Sequence, residues 1–151
     1  MLSLRAFFSI VIFSTACAAS QPAAPATPWR VELTTSGGIT GRGTGNVTVH
    51  SDRKLELTNM AGKSCTFEAT EEELATFTRL VGAARPDKWE ASYAPENECC
   101  DRIEWTLTLD EAGKVGKTRW IDDPGKPLPA DVEALAAAFR KARETYHSQC
   151  R

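Results

Sequence analysis

Two adjacent cysteines, Cys99 and Cys100, are followed by Asp101 and then by a run in which apolar and polar side chains alternate without a break. Ile103, Trp105, Leu107 and Leu109 are apolar, and Glu104, Thr106, Thr108 and Asp110 are polar. That is the period of a strand with one face buried. Neighbouring residues on a strand point to opposite faces, so the two thiols at its entry can reach different partners and tie the sheet to earlier and later parts of the chain.

The 151 residues, 42% hydrophobic and 25% charged, have the length and composition of one globular domain. The first stretch reads as an export signal: Arg5 precedes an apolar run over residues 6–13, and small residues follow over 14–20. That run falls short of the roughly 20 residues needed to span a bilayer. Ala16-Cys17-Ala18 fits cleavage after Ala18, whereas Thr15-Ala16-Cys17 resembles the end of a lipobox with Ser14 in place of an aliphatic residue, which would make Cys17 a lipidation site. Cleavage after Ala18 removes Arg5 and no acidic residue, shifting the formal net charge from −2 to −3. Such a chain lacks the concentrated basic face of a nucleic-acid-binding protein, and only a lipid on Cys17 would bring it to a membrane. A monomer is expected.

Once Cys17 is cleaved away or acylated, Cys65, Cys99, Cys100 and Cys150 remain. An even number in an oxidising compartment reads as two disulfides with three connectivities. A bridge between Cys99 and Cys100 would need a strained eight-membered ring, so the expectation is that one of them pairs with Cys65 and the other with Cys150, in an order the spacing leaves open. A redox pair or a thiolate metal site is the alternative, but His50 and His147 lack the spacing of a zinc motif.

Pro22, Pro25 and Pro28, set among alanines, make residues 19–28 a stiff linker. The domain starts at Trp29, where Trp29, Val31 and Leu33 alternate with Arg30, Glu32 and Thr34. Residues 36–45 then hold five glycines in ten. The phosphate-cradling reading of such a loop needs a helix after it, and residues 46–49 and 55–57 read as strands instead, so a mobile hairpin or binding loop fits better. Residues 65–69 make another short strand. Thr70 and Glu73 form a capping box, and Leu74, Phe77, Leu80 and Val81 give the ensuing helix one apolar face, closed off by Pro86. Trp89 and Tyr93 should cover a core edge.

After residue 109, a turn at Gly113 and a strand over residues 115–121 complete a hairpin that brings Trp105 near Trp120. From Pro129 a last helix buries Val132, Leu135, Ala136, Phe139, Ala142 and Tyr146, with Glu133, Arg140, Lys141, Arg143 and Glu144 expected to face water. The expectation is an α+β domain over residues 29–151: an antiparallel sheet of four or five strands, two helices packed against it, and disulfide staples.

Chemistry is sparse. No nucleophile elbow and no paired-histidine helix is present, and Asp122 and Asp123 are explained by a solvated turn. The chain reads as a non-enzyme without a cofactor or metal.

The order of features resembles the emfourin-like family, small protein inhibitors of thermolysin-like metalloproteases. The likeness runs over most of residues 29–146. It rests on an opening strand ending in Ser36-Gly37-Gly38, a following strand, a helix at Glu71–Ala83, Asp101 leading into the alternating strand, the turn at Gly113, and Pro129 ahead of a helix built on Leu135 and Phe139. The chain departs from the family's compact members in its export signal, its four cysteines and extra strand material over residues 53–67. The resemblance implies a substrate-like or steric block of a protease cleft, with the metalloprotease as partner. Ser36, Gly37, Gly38, Ile39, Thr40 and Asp101 are the candidate contacts.

Overall fold

Trp29, Val31, Leu33 and Thr35 are buried while Arg30 and Ser36 stay exposed, so the alternation read at residue 29 continues through a full strand, β1 (Trp29–Gly37). A computed structural model describes residues 27–39, 41, 43–96, 101–122 and 124–151. The segment expected to be an export signal, Cys17, Thr40, Cys99 and Cys100 lie outside the described residues. After β1 come β2 (Asn46–His50), β3 (Lys54–Thr58), β4 (Ser64–Glu68), α1 (Glu71–Ala83), a 3₁₀ turn at Pro86–Lys88, β5 (Ile103–Glu111), β6 (Lys114–Ile121) and α2 (Ala130–His147).

The six strands form one sheet in the order β4-β3-β2-β1-β5-β6, with each neighbouring pair antiparallel. This is more than the four or five strands expected. The three short runs after the glycine loop each complete a strand, and all of them join the sheet that holds the β5–β6 hairpin.

Register explains the core. Cys65, Leu57, Val47, Leu33, Leu107 and Thr118 line up across the sheet, and Phe67, Leu55, Val49, Val31, Leu109 and Gly116 form the next row. The leucines and valines in both rows are fully or almost fully buried, each contributing about 2 kcal/mol of apolar burial. The opposite face carries Arg30, Glu32, Thr34, Glu56 and Thr108, so only one face needed covering.

Both helices cover that face. The capping box at the start of α1 is present: Glu73 N donates to Thr70 Oγ1 at 3.2 Å and Thr70 N donates to Glu73 Oε2 at 2.8 Å. Phe77 of α1 meets Phe139 of α2 with ring centroids 5.1 Å apart. The helices run antiparallel, because Tyr146 bonds Glu73 at one end and the Arg85 N–H bonds Asp131 at the other. The six apolar residues assigned to the stripe of α2 are all buried. Tyr93 is buried and Trp89 half-buried, its Nε1 donating to Asp131 Oδ2 at 2.9 Å, so the pair covers a core edge as expected.

The cysteine pairing differs from the expectation. Cys65 is bonded to Cys150, not to Cys99 or Cys100. By its last turn α2 has crossed to the β4 edge, where Cys65 lies, and Asn59 Nδ2 donates to Cys150 O at 2.8 Å beside the bridge.

Candidate partner-binding rim

The end of the sheet where β1 stops and β5 starts gathers most of the sequence-predicted site. Ser36 pairs with Glu104 and Gly37 with Ile103, and Gly38 N donates to Arg102 O at 3.0 Å. Ser36, Gly37, Gly38 and Ile39 therefore sit beside Asp101, more than sixty positions away in sequence. Ser36 and Asp101 are exposed.

Gly37 and Gly38 close this end of the strand pair. Gly37 has φ +80°, and a Cβ there would lie 2.3 Å from Arg102 O, a conformation and an approach that only glycine tolerates. Their role is thus in the architecture of the loop. Ile39 differs: its side chain is 93% exposed, on a loop tip made compact by bonds from Gly41 N to Gly38 O at 2.9 Å and from Gly43 N to Gly37 O at 2.9 Å.

The base of the loop is pinned from two sides. Thr35 Oγ1, buried on β1, accepts from Thr44 N and donates to Gly45 O, both at 2.7 Å. Thr35 N donates to Asn46 Oδ1 at 3.2 Å. Gly45 has φ +94° and lies so close to β3 that a Cβ would meet Thr58 O at 2.1 Å. Residues 43–45 are therefore packed into the domain, and the part of the loop presented outward is the tip at Ile39.

Arg143 is the second clamp, at a helix position where the sequence pattern leads to the expectation of a water-facing side chain. Its guanidinium bonds Thr44 Oγ1, donates to Gly45 O at 3.4 Å, and lies 5.5 Å from the centroid of the Trp105 ring. Loss of solvent around it pulls its pKa below the usual arginine value. Trp105 in turn stacks on Trp120, directly opposite in register, with centroids 6.5 Å apart and planes 8° from parallel. Its Nε1 donates to Asp122 Oδ1 at 2.8 Å. The signal available in the sequence was position: Arg143 follows Phe139 by four residues and so shares its side of the helix.

Beside Arg143 an open depression of about 450 Å³ is lined by Thr44, Met60, Arg143, Glu144, His147 and Ser148. Met60 is half exposed there, on the β3–β4 turn at the same end of the sheet as Ile39. The rim offers two exposed apolar side chains on braced turns, an arrangement suited to docking against another surface. Among the described residues no three metal-ligating side chains cluster, and no helix is long and apolar enough to cross a membrane. No protein-family model matches the chain, and neither a curated protein nor a solved structure is significantly similar to it.

Proposed function

We propose that this is an exported, emfourin-like inhibitor that blocks the cleft of a thermolysin-like metalloprotease with the loop over residues 36–45. The observation that carries this reading is Ile39: an apolar side chain 93% exposed on a tip whose base is fixed by Thr35, Gly45 and Arg143. A large apolar residue gains nothing for the fold from that position, and a loop ordered in advance has less entropy to lose on binding. Asp101 flanks the loop as a polar rim contact. The chain acts by occupation, not catalysis, and needs no cofactor.

Titrating the purified protein into thermolysin-like proteases should lower peptide hydrolysis to a plateau at a fixed stoichiometry. Undiminished hydrolysis across a panel of such enzymes would refute the proposal.

Thr15-Ala16-Cys17 and the proline-rich linker favour a second reading, a cell-envelope lipoprotein or binding module that holds the same rim away from a membrane. A diacylglycerol mass increment on Cys17 supports it, and a mature chain starting at Ala19 removes it.

A further inference from the structure

The two edges of the sheet are treated differently. The β6 edge is bridged by the segment that precedes β5: Arg119 N donates to Ala91 O at 3.2 Å and Tyr93 N donates to Arg119 O at 2.9 Å. The β4 edge has no such cover among the described residues. Asn59 N donates to Lys63 O at 2.9 Å and Ala69 N donates to Arg53 O at 2.8 Å. Every second residue from 63 to 69 therefore turns its backbone toward β3, and Ser64, Thr66 and Glu68 turn their N–H and C=O groups outward. Edges left in this state are templates for another strand. Ser64-Cys65-Thr66-Phe67-Glu68 has no proline, lysine or glycine, and its one charged residue, Glu68, stands at its end.

Charge selects the occupant. Lys63, whose Nζ also bonds Arg151 O, stands at one end of β4, and Glu68, with Arg53 3.3 Å from its carboxylate, stands at the other beside Glu71 and Glu72, all of these acids exposed. We propose that the β4 edge pairs antiparallel with β4 of a second copy of this chain, about a twofold axis at Thr66, to give one continuous twelve-stranded sheet. In that register Thr66 faces its own copy, and each Ser64 faces Glu68 of the partner subunit. Each Lys63 comes next to the acidic end of the partner's β4. A parallel pairing would put lysine beside lysine and glutamate beside glutamate. Both copies use the same surface, so the contact closes at two and does not propagate. The disulfide at Cys65 holds β4 firm for pairing, and the rim carrying Ile39 is not consumed.

Sedimentation velocity on protein expressed from its full sequence tests this, with Thr66→Pro and Lys63→Glu as variants. Thr66→Pro deletes an N–H that the monomer does not use, a substitution that edge strands accept. The wild type should show a monomer–dimer equilibrium. Thr66→Pro should weaken it by about tenfold or more, and Lys63→Glu by a smaller factor that shrinks as salt is raised. A wild type that is monomeric throughout, or a dimer that folded Thr66→Pro and Lys63→Glu both leave intact, overturns the proposal. Should Thr66→Pro lose its native near-UV spectrum, Lys63→Glu decides alone. Protease inhibition is read separately, so loss of dimerisation and failure of the inhibitor reading are distinguishable.

Discussion

The Tyr146 hydroxyl of α2 donates to Glu73 Oε2 of α1 at 2.7 Å, and the same oxygen accepts from Thr70 N and Thr70 Oγ1. One carboxylate thereby caps α1 and locks it to α2. Burial pushes the Glu73 carboxyl up, but the Thr70 N–H, the Tyr146 hydroxyl and the Thr70 hydroxyl together hold it below its ordinary 4.5. Tyr146 is pushed up to about 12 by burial and by the bond to Glu73.

These shifts set the sign of a pH dependence. The Glu73 contribution is present above pH 4.5 and is lost as acid protonates the folded state. The Tyr146 contribution is present below pH 10 and is lost as pH rises through about 12. Tyr146→Phe should cost about 1.5 kcal/mol near pH 7, measured by denaturant unfolding. The difference from wild type should shrink in acid; a pH-independent difference would assign the loss to packing instead.

Thr118 lies 1% exposed in the core row of β6, and its hydroxyl has no hydrogen-bond partner among the described residues. Valine keeps the branched shape and removes the unmet hydroxyl. Thr118→Val should therefore stabilise the protein by about 1 kcal/mol, read as a higher unfolding midpoint. Destabilisation would mean that the hydroxyl has a partner.

Gly37→Ala should be among the most damaging loop substitutions. It forces alanine to φ +80° and sets its Cβ 2.3 Å from Arg102 O, together costing about 2–3 kcal/mol. Gly41→Ala, where a Cβ meets nothing within 4 Å among the described residues, bears only the backbone strain there and should cost less. Equal losses at the two positions would contradict the closure of β1 on β5.

Peptide mapping without reduction should recover Cys65 joined to Cys150. A link from either to Cys99 or Cys100 would contradict the fold at the β4 edge. The bridge spans 85 positions in sequence, and replacing both of its cysteines with serine should cost roughly 4 kcal/mol in the chain-entropy account.

What could be read from the sequence was local. The β5–β6 hairpin announced itself through unbroken alternation around a tight turn, which also placed Trp105 opposite Trp120. The capping box located the start of α1 because Thr70 and Glu73 satisfy each other within one turn. The strand total was less accessible, since runs as short as residues 55–57 do not show whether they share a sheet with others far away in the chain. The pairing of Cys65 with Cys150 depends on where α2 ends after crossing the sheet, and that is a property of the whole fold. The place of Arg143 is hidden from the sequence for the same reason: the loop carbonyl it meets, Gly45 O, belongs to a residue 98 positions away. Of the candidate site, the glycines were recognisable as a special segment, but their division into a pinned base and a presented tip required Thr35, Thr58 and Arg102.

The most direct test of the proposed inhibitory role of the loop is the Ile39→Asp variant in the protease titration. Ile39 is almost wholly exposed, so the substitution should leave the thermal unfolding midpoint unchanged while inhibition weakens by about 2 kcal/mol or more, as expected for a central anchor residue. Inhibition by Ile39→Asp equal to that of the wild type would contradict the account.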